Sequence, residues 1–203
     1  MSHNNFKKIK KEGFTVIEAL VSIAIMLLSI TGAFAVAQSS LQSSDLVKNR
    51  VTAYYLAQEG IEFLRQKRDD NGLKMLSSKN NPDPNASWLS GIVGSNMPCD
   101  FDNVCEINGF NADGGGMREC TQVFGGIGGQ CTKLSFDKSL GYFDYPSTDD
   151  SGAVFRREIR VTRVASDPTS DREVNVSIIV KWNQNGIERS LDISENLYNW
   201  QQI

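Results

Sequence analysis

Residues 14–37 read FTVIEALVSIAIMLLSITGAFAVA, and Glu18 is the one charged side chain in that run. At a rise of 1.5 Å per residue the run makes a helix about 36 Å long, enough to cross a hydrocarbon core of about 30 Å. A carboxylate at the bilayer centre costs about 2.5–3.5 kcal/mol even on lenient insertion scales, so Glu18 asks for a partner. Ahead of the run stand Lys7, Lys8, Lys10 and Lys11 against Glu12. Lysines stay on the cytoplasmic side, which predicts that the body after residue 38 lies outside.

A secretory signal peptide is the competing reading of this segment. Ala19 to Gly32 has the composition of an apolar signal core, and AFAVA at 33–37 offers two A-x-A cleavage sites. Two features oppose it. Glu18 sits at the head of that core, and the helical pattern continues past residue 37 without a turn residue.

The stretch KKEGFTVIEAL at 10–20, set in this context, resembles the start of the type IV pilin and pseudopilin family. That family begins with a short basic leader ending in Gly, then a Phe, then an apolar run with Glu fifth after the cleavage point. Gly13, Phe14 and Glu18 match it residue by residue. The resemblance implies that a prepilin peptidase, a membrane aspartic enzyme, removes residues 1–13 and methylates the new amino group of Phe14. It implies for Glu18 an inter-subunit role in assembly. The partners it implies are other pilin or pseudopilin subunits, the peptidase, the cytoplasmic membrane and the filament's assembly machinery. The expected locations are the inner membrane, as a single-pass protein, and then a cell-surface filament. Many major pilins carry a helix-kinking Pro in the apolar stretch, and this chain has no Pro between Met1 and Asn81. The resemblance therefore leans towards a minor pilin or a pseudopilin.

Helical signals persist beyond the apolar run. Val47, Val51, Tyr54, Ala57, Ile61 and Leu64 recur at steps of three and four, an apolar stripe on one helix face. Lys48, Arg50, Glu59, Glu62, Arg65, Lys67 and Arg68 lie mostly off that stripe. Basic residues crowd the last turn, as the helix dipole favours, and Asn71 with Gly72 supplies a C-cap. One helix is thus expected from Phe14 to about Asp70, its half at 14–37 apolar nearly all round and its half at 38–72 amphipathic. The second half has a domain to pack on; the first needs lipid or neighbouring helices.

Cys99, Cys105, Cys120 and Cys131 fall in a region, 73–131, that is rich in glycine and also holds Pro82, Pro84 and Pro98. Their spacing contains no C-x2–4-C knuckle, so a zinc site is not indicated. In an exported region an even number of cysteines reads as two disulfides. Of the three possible connectivities, Cys99–Cys105 with Cys120–Cys131 closes the shortest loops and is favoured. With little periodicity, the region reads as a long surface excursion, in which Trp88, Leu89, Ile92 and Val93 form a short helix or an anchoring strand.

The last third, 132–203, alternates clearly. Val174, Val176, Ile178, Val180 and Trp182 interleave with polar residues, a half-buried strand. NQNG at 183–186 is a hairpin turn, after which Ile187, Leu191 and Ile193 point inward. Phe155, Ile159 and Val161 form a preceding strand, joined through SDPTSD at 166–171, and Lys133–Asp137 with Tyr142–Tyr145 adds a hairpin or an edge. An antiparallel meander with one apolar face must be covered, and the Tyr54–Leu64 stripe is its cover. The expected class is α+β, a long N-terminal helix packed on an antiparallel sheet, which is also the pilin fold.

Composition narrows function. Without the leader, the 21 basic and 24 acidic side chains become 17 and 23, a net charge of −6 that argues against direct nucleic-acid binding. The only histidine is His3, inside the leader, so the processed chain has none for a triad or a metal site. No carboxylate pair is marked by spacing. The expectation is a non-enzymatic structural subunit without cofactor or metal. The alternative is a single-pass, membrane-anchored surface binding or adhesion protein that does not polymerise.

Overall fold

The computed structural model describes residues 13–77, 87–94, 97, 99–101, 103–108, 116–120, 131–139, 141–145, 154–169 and 172–200. The chain divides into two compact units, Met1–Val47 and Lys48–Ile203. A single helix, α1 (Val16–Ser77), runs through both.

In the first unit the large apolar side chains from Phe14 to Leu41 are all exposed, Leu28 at 74% and Leu20 at 62%. This is the one helix among the described residues long and apolar enough to cross a membrane. The serines and threonine of the run do not interrupt it. Ser22, Ser29 and Thr31 each turn back and donate to a carbonyl four residues earlier, at 2.7, 2.8 and 2.9 Å. Their hydroxyls are thereby satisfied without water.

The second unit is an α+β body. Among the described residues it has seven antiparallel strands: β1 (Val104–Asn108), β2 (Gly116–Glu119), β3 (Lys133–Asp137), β4 (Tyr142–Asp144), β5 (Phe155–Arg163), β6 (Glu173–Gln184) and β7 (Ile187–Tyr198). β5, β6 and β7 form the expected meander, with Phe155 opposite Trp182 and Val180 opposite Leu191. The β6–β7 connection is the Asn185–Gly186 pair, both at positive φ (54° and 79°), which a two-residue type I′ hairpin requires. Asn183 Oδ1 accepts from Gly186 N at 3.0 Å and closes the turn. The 166–171 connection also turns as expected where it is described: Asp167 accepts from Thr169 Oγ1 at 2.8 Å and from Glu173 N at 2.9 Å.

β5 is the organising strand. β6 pairs with it along its whole length and takes one edge; the other edge is shared between β1, at Ile159 and Arg160, and β3, at Phe155 and Arg156. Two hairpins, β1–β2 and β3–β4, therefore hang side by side on one strand.

α1 covers this sheet, but not with the stripe expected. Up to Leu64 the buried positions are Ala53, Leu56, Ala57, Gly60, Ile61 and Leu64, whereas Val47, Val51 and Tyr54 are about half exposed. The expected and observed stripes share Ala57, Ile61 and Leu64. The seam is set by the small residues Ala53, Ala57 and Gly60, which allow close approach, and Tyr54 lies about 100° around the helix from Ala53. A Cβ built on Gly60 would stand 2.7 Å from Ile178 Cδ1 and 3.5 Å from Arg157 Cδ. Gly60→Leu is therefore expected to overpack the seam and destabilise the body by about 1–3 kcal/mol. A lowered urea midpoint for the detergent-solubilised protein would register it, and an unchanged one would count against this packing.

Further expectations need correction. α1 begins at Val16 rather than Phe14 and ends at Ser77, because Asn71 and Gly72 are not a cap. Asn71 is buried inside the helix, where its Nδ2 donates to the carbonyls of Trp88 and Ser90 at 3.1 and 2.7 Å. The packing of the turn at 88–93 outweighs the helix-ending preference of these two residues, about 1 kcal/mol each at most. That turn is neither helix nor strand. It is a succession of hydrogen-bonded turns whose Trp88, Leu89, Ile92 and Val93 are buried in the core. The region up to Cys131 is likewise more than a surface excursion, since it supplies β1, β2 and the buried Ile107. Last, Ile187 is 53% exposed rather than inward. It follows directly on the hairpin turn in a strand that, among the described residues, pairs with β6 alone, while Leu191 and Ile193 pack on the core as expected.

Candidate functional site

The segment Gly13–Glu18 is built from the start of α1. Gly13, Phe14 and Thr15 have no regular structure, and all three are exposed. Nothing lies within 4 Å of where a Cβ on Gly13 would be. The Gly13–Phe14 peptide bond thus stands in irregular, accessible chain directly before a helix, the form in which a peptidase can engage a backbone. Residues 1–12 of the expected leader, His3 among them, lie outside the described residues.

Thr15 is the N-cap. Its carbonyl accepts from Glu18 N and Ala19 N, both at 3.1 Å, and its Oγ1 accepts from Glu18 N at 3.3 Å. Thr15-Val16-Ile17-Glu18 has the spacing of a capping box. Glu18 lies in the first turn of α1, exposed, at the positive end of the helix dipole. Sequence reading assigned Glu18 a partner outside the chain and missed this local role, although the T-x-x-E spacing signals it.

The cysteines form a second constellation. Disulfides join Cys99 to Cys105 and Cys120 to Cys131, with Cα–Cα distances of 5.1 and 4.4 Å, the favoured pairing. On the loop-entropy model each such short loop contributes about 2.5 kcal/mol. The first bridge ties the segment at 99–101 to β1. The second runs from the end of β2 to the start of β3, across the junction of the two hairpins.

At that junction sits Glu106, an acid from β1 that is almost wholly buried. Its carboxylate accepts from the Thr132 backbone N–H, from Thr132 Oγ1 at 3.0 Å and from Arg118 Nε of β2. Arg118 Nη2 also donates to Thr132 Oγ1 at 2.9 Å, and its guanidinium lies 5.2 Å from the Tyr145 ring centroid. Burial pushes the Tyr145 phenol up, with the charge of Arg157 opposing it. Arg157 faces the core from β5 and donates to Leu56 O and Glu59 Oε2 of α1, at 3.0 and 3.1 Å. At the other end of the seam, Arg65 Nε donates to Glu195 Oε1 of β7 at 3.0 Å. Glu106, Cys120 and Cys131 approach one another as metal ligands would. Both sulfurs are spent in the disulfide, however, and the carboxylate is occupied by Thr132 and Arg118. The cluster is chemically a clamp. Sequence reading missed Glu106 and Arg118 altogether; Arg157 was detectable, because it has the parity of Phe155 and Ile159.

Comparison with known proteins adds one finding to this geometry. A family model described as the prokaryotic N-terminal methylation motif matches residues 8–34. No curated protein and no solved structure matches the chain. The match covers Gly13, Phe14 and Glu18 together with most of the exposed apolar half of α1. Residues 8–34 of this chain are therefore a prokaryotic N-terminal methylation motif, the hallmark of the prepilin-type segments of type IV pilins and pseudopilins.

Proposed function

We propose that this chain is a minor pilin or pseudopilin, a structural subunit without catalytic activity of its own. It is cut after Gly13, methylated on Phe14 and held in the inner membrane through 14–37 with its body outside. It then enters a filament through the N-terminal half of α1. The observation that carries the reading is the methylation motif itself, placed where an accessible Gly13–Phe14 bond precedes an uncovered apolar helix. The Pro-free run up to Asn81 favours a minor or pseudopilin role over that of the main fibre subunit. The two bridges suit a body that works outside the reducing cytoplasm.

Mass spectrometry of the protein from its native host tests the reading. The mature chain is expected to begin with N-methyl-Phe14, and replacing Gly13 by a bulky residue is expected to leave the precursor uncut. A mature terminus at Val36 or Gln38 would instead identify a secretory signal peptide and overturn the proposal.

A further inference from the structure

Strand register places Lys133 of β3 beside Arg156 of β5, and Arg156 beside Lys181 of β6. Three cations thus form one row across three adjacent strands, where like charges directly opposite destabilise one another. Lys181 has a carboxylate, since its Nζ donates to both oxygens of Glu158 at 2.9 and 2.7 Å. Among the described residues, Lys133 and Arg156 have no ion-pair partner. Arg156 Nε is moreover buried with no hydrogen-bond acceptor, an arrangement that costs free energy unless something arrives to accept from it. The row lines a half-open cavity of about 350 Å³, completed by Val154, Trp182, Asn183 and Glu188. This concentration of positive charge stands on a chain whose net charge without the leader is −6.

We propose that this cavity binds an acidic peptide segment of a partner protein, with one carboxylate held by Arg156 between Lys133 and Lys181. The planar guanidinium fork matches a carboxylate in two parallel hydrogen bonds, and the flanking ammonium groups add charge. Glu188 decides between anions. A bare oxyanion or a phosphodiester strand gives that carboxylate only repulsion, whereas a peptide offers it backbone N–H donors. Val154, 43% exposed, gives the methylene groups of an Asp or Glu side chain an apolar rest.

The test uses the full chain in a non-ionic detergent and a fluorescein-labelled hexaglutamate peptide, followed by anisotropy at low salt. Saturable binding is expected, and the double variant Lys133→Gln/Arg156→Gln is expected to weaken it at least about tenfold while circular dichroism shows the fold intact. Equal binding by variant and wild type, or no saturable binding by wild type, overturns the proposal. So does competition by inorganic sulfate as effective as that of unlabelled peptide, or tighter binding of a short single-stranded DNA. The leader lysines are common to variant and wild type, so the difference between the two does not depend on where the N-terminus is processed, and the cavity and the filament role stand or fall separately.

Discussion

Replacing Glu18 by valine is expected to remove the protein from filaments while leaving its membrane level and the fold of its body unchanged. On the proposed processing, cleavage after Gly13 would create an α-amine on Phe14, a cation at neutral pH. It precedes Glu18 by four residues, at the N-terminal end of the apolar run, where a charge costs less than at the midplane. Among packed apolar helices a lone ammonium and a lone carboxylate are both costly. Paired between neighbouring subunits they offset each other and set the axial register of one helix against the next. Removing one member leaves the other buried and uncompensated, a cost of about 3–5 kcal/mol and so more than a hundredfold in incorporation. Within its own chain Glu18 does much less. Its place in the first turn contributes about 0.3–1 kcal/mol through the dipole, and Thr15 caps the helix with or without it. Insertion therefore survives the change. Immunoblots of membranes and of sheared filaments separate the two effects, and wild-type incorporation of Glu18→Val would remove the carboxylate from any account of assembly.

Glu106→Ala is expected to be the most damaging polar substitution in the body, at about 2–4 kcal/mol. The reason lies in the sheet. β1 and β3 share one edge of β5, and among the described residues no ladder of backbone hydrogen bonds joins one hairpin to the other there. Glu106 crosses that gap by accepting from Thr132, and it holds Arg118 of β2 in the same grip. Truncation strands the Thr132 N–H and the arginine together and leaves a cavity where a buried side chain stood. Glu106→Gln, which keeps one acceptor oxygen, is expected to lose less. Urea unfolding of the solubilised full chain measures both, and an alanine variant with the midpoint of wild type would show that the Cys120–Cys131 bridge secures the junction alone.

The parts of this fold legible in the sequence are those where one periodicity faces one environment. β6 alternates because its two faces differ, so Val174, Val176, Ile178, Val180 and Trp182 could be assigned inward from the alternation alone. Asn-Gly at 185–186 announced its turn because few other pairs tolerate two positive φ angles. β1 and β2 escaped notice. They are five and four residues long, and their pattern is broken by a charged residue, Glu106, whose partner Thr132 lies 26 residues on. The helix stripe was nearly right, but periodicity alone does not distinguish Tyr54 from Ala53 as the inward residue. That choice depends on how closely Ile178 approaches Gly60.

The sequence by itself determined the class of the fold, the membrane-length helix, the positions of Gly13, Phe14 and Glu18, and the meander from β5 to β7. These are local properties, carried by hydrophobic run length, alternation and short motifs, each of which acts over a few residues. Tertiary structure alone decided which face of α1 meets the sheet, how far the helix runs past Asn71 and how the two hairpins share the edge of β5. It also decided which cations line up on the open face. Each of those depends on groups distant in sequence coming within a few ångströms. There, packing and the burial of paired polar groups outweigh local preferences worth no more than about 1 kcal/mol per residue.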